Sequence, residues 1–91
     1  MSNAIPYLPR GVRTHYDRIR GRNVLLGPER ALMLDEIGHA IIAELDGKRT
    51  ETQIAADLAT RYGAPVEAVS VDVAEFLTDL ADKRLVERKD P

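Results

Sequence analysis

Two histidines, two serines and a row of carboxylates are the residues here whose types could do chemistry. His15 and His39 sit 24 positions apart, and neither has a partner at a recognisable spacing such as i, i+4 with a Glu between. A metal or acid–base site needs several convergent groups. The two histidines therefore read as a surface residue and a partly buried one. Ser2 and Ser70 lack the Gly-x-Ser-x-Gly context of a nucleophile elbow. No Gly-rich phosphate loop follows a strand-like run. Asp72, Glu75, Asp79 and Asp82 recur at i, i+3, i+7 and i+10. That spacing makes one acidic stripe along a helix and does not isolate a catalytic pair. The expectation is a non-enzyme with no catalytic residues, no metal and no cofactor.

The elements that carry these residues are legible in the pattern. Val12, Thr14 and Tyr16 alternate with Arg13 and His15, the period of a strand with one wet face. The run from Asp17 to Gly21 reads as a hairpin connection, and Asn23 to Leu26 as a second strand. Gly27-Pro28 ends it. Arg30 to Leu34 is a third strand, rich in apolar residues. Short connections make consecutive strands neighbours, so the second is central and the third lies on an edge. An apolar edge invites pairing with another chain. That edge is the expected docking site for an extended peptide.

Three helices follow. Asp35 is an N-cap, Ile37, Ala40, Ile41 and Leu45 a buried stripe, and Gly47 a stop. Thr50-Glu-Thr-Gln53 is a capping box, followed by Ile54, Ala55, Leu58, Ala59 and Tyr62, with Gly63 as C-cap. Pro65 suits the first turn of a third helix, where Val66, Val69, Val73, Phe76, Leu77 and Leu80 repeat. Leu85-Val86 reads as a short strand or a packed tail. The fold class is α+β: an N-terminal three-stranded antiparallel sheet followed by three helices, resembling a winged helix-turn-helix. Residues 1–7 are expected as a flexible N-terminus, 8–87 as one domain and 88–91 as a flexible tail.

Composition narrows the function classes. Hydrophobic residues are 44% of 91, enough for one modest core. No apolar run approaches the roughly 20 residues of a membrane span. Cysteine is absent, which excludes disulfides and thiolate metal sites. A cytoplasmic monomer is the expectation. Six arginines against Asp17 and Glu29 leave residues 1–34 at +4. Seven basic against thirteen acidic side chains leave residues 35–91 at −6. The basic part suits steering of an acidic peptide. The acidic stripe repels a polyanion, which counts against nucleic acid as a partner.

The run Leu26-Gly-Pro-Glu-Arg-Ala-Leu-Met-Leu-Asp-Glu-Ile-Gly-His-Ala-Ile, with Leu45-Asp-Gly47, Thr50, Val71-Asp-Val73 and Phe76-Leu77, resembles the PqqD family. The likeness extends from about Leu8 to Glu87. It implies a peptide chaperone that binds the ribosomal precursor peptide of pyrroloquinoline quinone. The chaperone presents that peptide to a radical S-adenosylmethionine enzyme. It further implies a peptide strand added beside Arg30, Ala31, Leu32, Met33 and Leu34, against a helix wall drawn from Val69, Asp72, Val73 and Phe76. Glu75, Asp79 and Asp82 are left as the expected surface for the enzyme. The alternatives are a winged-helix DNA-binding module and a small subunit that only stabilises an enzyme.

Overall fold

The structure is a computed structural model that describes residues 3–91. Its elements follow in the order β1 (Ile5–Tyr7), β2 (Arg13–Asp17), β3 (Arg22–Leu26), β4 (Ala31–Leu34), α1 (Glu36–Ala43), α2 (Glu51–Tyr62), α3 (Val66–Asp82) and β5 (Glu87–Lys89). The main sheet is antiparallel in the order β2-β3-β4. Turn chemistry sets its first hairpin. Asp17 Oδ1 accepts from the amides of Ile19 and Arg20, and Gly21 donates to the Asp17 carbonyl at 2.7 Å. Gly21 sits at φ +65°, where a side chain would be strained.

Helices cover this sheet over β3 and β4 only. Leu25 and Leu34 join Ile41, Ile54, Val73, Leu77 and Leu80 in one core, to which β2 contributes nothing. Thr14 and Tyr16, expected to face inward, are therefore exposed, and only Val12 just before the strand is buried. A fully buried leucine contributes roughly 1.5–3 kcal/mol, so the β3–β4 half anchors the hairpin.

Asp35 caps α1 as its sequence position implies, its Oδ1 accepting from the Gly38 amide at 2.7 Å. The buried face is turned relative to the expected stripe. Gly38, Ile41 and Ile42 are inside, while Ile37 is 68% exposed. Gly38 is the cause: a Cβ there would lie 3.1 Å from the Phe76 ring, so the missing side chain lets α3 approach on that side. The helix ends at Ala43 rather than near Gly47. After it, Asp46 Oδ1 accepts from the amides of Lys48 and Arg49 and makes a separate turn.

Both arms of the α2 capping box form, with Thr50 Oγ1 accepting from the Gln53 amide and Gln53 Oε1 from the Thr50 amide. Gly63 closes the helix. Tyr62, expected in the buried stripe, is 64% exposed. Pro65 stands at the N-cap of α3 rather than within its first turn.

The chain ends depart most from expectation. Residues 5–7 and 87–89 were expected in flexible segments or at the domain limit, yet β1 and β5 pair antiparallel from Ile5↔Lys89 to Tyr7↔Glu87. Met1 and Ser2, also expected to be flexible, lie outside the described residues. Leu85 and Val86 are buried and feed β5 toward β1. Glu51 ties this ribbon to the helices: its amide donates to the Ala4 carbonyl, and its carboxylate meets Arg88, which also donates to Thr78. No helix among the described residues is long and apolar enough to cross a membrane.

Candidate functional site

The free edge of β4 is the first feature that the fold leaves unsatisfied. The Gly27 amide donates to the Arg30 carbonyl at 2.9 Å, which makes Gly27 and Arg30 a hydrogen-bonded pair. Antiparallel ladders alternate bonded and non-bonded pairs. With Leu25 opposite Leu32 and Asn23 opposite Leu34, residues 32 and 34 turn their N–H and C=O groups toward β3. Ala31 and Met33 turn theirs outward, where no strand follows β4. Two donors and two acceptors in the geometry of a strand edge thus await a partner.

The side chains divide by the same parity. Leu34 is 4% exposed and belongs to the helix-side core, and Leu32 packs against it. Ala31 and Met33 point to the opposite face. Arg30 is exposed at the turn. Of the five expected strand residues, two present backbone to an incoming strand, and Leu34 presents no accessible side chain.

The third helix and the segment after it approach the chain on either side of this strand. Phe76 meets Gly38 just beyond the end of β4, and Leu85, past the helix, lies against Gly27 at the turn that begins it. The expected wall residues split into two groups. Phe76 is half-buried against the core next to the strand end. Val69, Asp72 and Val73 line a cavity of about 300 Å³ between the three helices, with Ile37 and Tyr62 on its rim. Val73 is 1% exposed and forms the floor, while Asp72 is exposed. Glu36 and Ile37, in the first turn of α1 just after β4, line this hollow as well.

The acidic stripe divides as well. Asp72 belongs to the hollow. Glu75, Asp79 and Asp82 border a shallower depression with Ala74 and Thr78, and Lys83 donates to Asp79 at 2.6 Å. His15 is exposed on β2 and His39 half-buried on α1. Among the described residues no group of His, Cys, Asp or Glu is placed to hold a metal ion.

Sequence reasoning missed an ion-pair cluster behind α1. Glu44, mostly buried, accepts from Arg61 at 2.8 and 3.2 Å and from Arg49 at 3.1 Å. Arg49 also donates to Asp46 and Asp57. Hydrogen bonds from Arg61 chiefly, then Arg49, hold the Glu44 carboxyl below its usual range. Amide donors from Arg49 and Lys48 pull Asp46 down to about 2. A depressed folded-state pKa stabilises above the unfolded value and loses that contribution as pH falls. The urea midpoint should therefore hold from neutral pH down to about 4.5 and decline below it. Glu44→Gln should lower the midpoint at pH 7 and flatten the decline. An unchanged pH profile in that variant would show that the cluster is not its source. Only the Leu45-Asp-Gly47 turn signal hinted at this cluster, since pairs this far apart in sequence leave no periodicity.

The family described as coenzyme PQQ synthesis protein D (PqqD) matches residues 22–86. A PqqA binding protein of Rhizobium meliloti is 46% identical over 85 residues, covering 93% of this chain and 87% of that one. A PqqA binding protein of Xanthomonas oryzae pv. oryzae is 43% identical over 81 residues, covering 89% and 88%. The solution structure of the PqqD truncation of Methylobacterium extorquens PqqCD, described as a stand-alone recognition element for ribosomally synthesised and modified peptides, superposes with a TM-score of 0.81. It is 41% identical and covers 96% of this chain and 92% of that one.

Proposed function

Because this chain belongs to the PqqD family, we propose that it binds the ribosomal precursor peptide of pyrroloquinoline quinone and presents it to a radical S-adenosylmethionine enzyme. The observation that supports the binding mode is the open β4 edge, with the backbone of Ala31 and Met33 directed outward. A peptide added there gains main-chain hydrogen bonds, and pockets for alternate side chains give selectivity. The hollow with Val69, Asp72 and Val73 receives the part that runs past Leu34. Phe76, half-buried beside Gly38, is the helix residue assigned to the strand side. The chain itself supplies binding and orientation and no catalytic group. A cytoplasmic monomer without cofactor fits this role.

Backbone methylation of the peptide tests the mode. Strand addition uses every second peptide amide toward β4. Two precursor peptides, N-methylated at alternate residues in opposite phase, should differ in affinity at least tenfold by calorimetry. Equal affinities would rule strand pairing out.

A winged-helix DNA reader is the runner-up on fold alone. The exposed carboxylates Asp72, Glu75, Asp79 and Asp82 on α3 oppose it. Random duplex at physiological salt should bind no tighter than about 10⁻⁴ M, the weak limit of non-specific binding. Micromolar binding with a steep salt dependence would contradict the peptide reading of α3.

A further inference from the structure

The outer face of the three-stranded sheet is not accounted for by either the core or the β4 edge. Cross-strand register sets its members. Arg13, Leu26 and Ala31 form one row, and His15, Val24 and Met33 the next. None of them belongs to the helix-side core or packs against it. The centre is apolar. Val24 is 8% exposed, Leu26 and Met33 are half-buried, and Ala31 is exposed. The border is basic, with Arg13, His15 and Arg22 exposed. Among the described residues no carboxylate pairs with Arg13 or Arg22. Asp17, opposite Arg22 in a further row, is the one acid on this face; its Oδ1 accepts from the amides of Ile19 and Arg20, and its Oδ2 lies 3.9 Å from Arg20.

We propose that this face docks an acidic protein surface, and, resting on the reading above, that the partner is the enzyme that receives the peptide. An apolar centre inside an arginine border is the composition of a protein interface, with Arg among the strongest contributors. Complementary charge favours a partner that carries carboxylates. Continuity with the β4 edge identifies that partner. A strand added to β4 extends the same sheet, so every second side chain of the peptide joins Ala31 and Met33 on this face. A protein docked here touches both the sheet and the outward side of the peptide. It therefore binds the loaded chain more tightly than the empty one, and by reciprocity strengthens peptide binding by the same factor. The α3 stripe lacks this build, since Glu75, Asp79 and Asp82 border a shallow depression and Asp79 is held by Lys83.

The test uses the full chain, synthetic precursor peptide and purified radical S-adenosylmethionine enzyme. Arg13→Glu with Leu26→Ser alters the face without touching the outward backbone of β4. Amide spectra confirm folding, and a second variant, Arg13→Glu alone, covers the case in which the pair unfolds. The expected result is a loss of enzyme affinity of at least tenfold for the pair, with peptide affinity within threefold of the unaltered chain. Peptide should also tighten enzyme binding to the unaltered chain. Unchanged enzyme affinity overturns the proposal. So does a joint loss of both affinities, which assigns the face to the peptide. Loss of enzyme affinity only in Glu75→Lys, Asp79→Lys and Asp82→Lys combined moves the partner to α3 and overturns it as well. If the unaltered, peptide-loaded chain does not bind the enzyme at all, this face and the presenting role both fall while peptide binding stands.

Discussion

Met33→Pro abolishes useful peptide binding and leaves the domain folded; Leu32→Pro chiefly destabilises the domain. These two neighbours differ because the ladder alternates. The Met33 amide faces outward, so proline there removes one donor that the incoming strand needs and places its ring against that strand. A lost hydrogen bond is worth about 1 kcal/mol, and the steric conflict adds to it. Peptide affinity should fall at least tenfold, with a small shift in melting temperature. The Leu32 amide faces Leu25 within the sheet. Proline at that position removes a ladder bond between covered strands and lowers the melting temperature more than Met33→Pro does. Calorimetry and thermal unfolding of both variants separate the two outcomes. Normal peptide binding by a folded Met33→Pro variant would place the site elsewhere.

Arg88→Ala should be among the most destabilising changes outside the apolar core. Glu51 has only 3% of its side chain exposed, and Arg88 supplies its charge partner. Removing one member of a buried pair leaves an uncompensated charge, at a cost of roughly 3 kcal/mol. A domain of this size has about 5–15 kcal/mol in total, so the loss is a large share of it. The β1–β5 ribbon should fray first, because Arg88 belongs to β5 and Glu51 holds Ala4 beside β1. Adding Glu51→Leu should restore part of the stability, since an apolar pair of similar volume needs no partner charge. Urea unfolding of the single and double variants measures both effects. A single variant as stable as the unaltered chain would show that water reaches Glu51 and that the pair contributes little.

How far the sequence reveals this molecule depends on the range of each interaction. Local signals carried through: Asp35, the Thr50–Gln53 capping box and Gly63 all act where their spacing puts them. The edge position of β4 was legible because short connections leave few topologies for three strands. The rotation of α1 was not, since it depends on Gly38 meeting Phe76, 38 positions away. Ile37 and Tyr62 fit an apolar stripe by spacing but stand on the rim of the interhelical hollow instead. The terminal ribbon was missed for the same reason. Ile5-Pro-Tyr7 and Glu87-Arg-Lys89 have too few residues to show a period, and only their mutual pairing makes them strands. At the candidate site, the strand was legible from Ala31 to Leu34, with Arg30 left in the turn before it, but which amides point outward required the Gly27–Arg30 pair. The helix wall was drawn along one helix face, whereas the structure divides it between the strand end and the hollow.

Backbone amide hydrogen exchange, with and without precursor peptide, tests the central claim most directly. Strand addition at β4 predicts that the Ala31 and Met33 amides exchange freely in the empty chain and become protected when peptide saturates it. The Leu32 and Leu34 amides should be protected in both states, because they already bond β3. Peptide that binds while Ala31 and Met33 keep exchanging at their free rates would contradict the account.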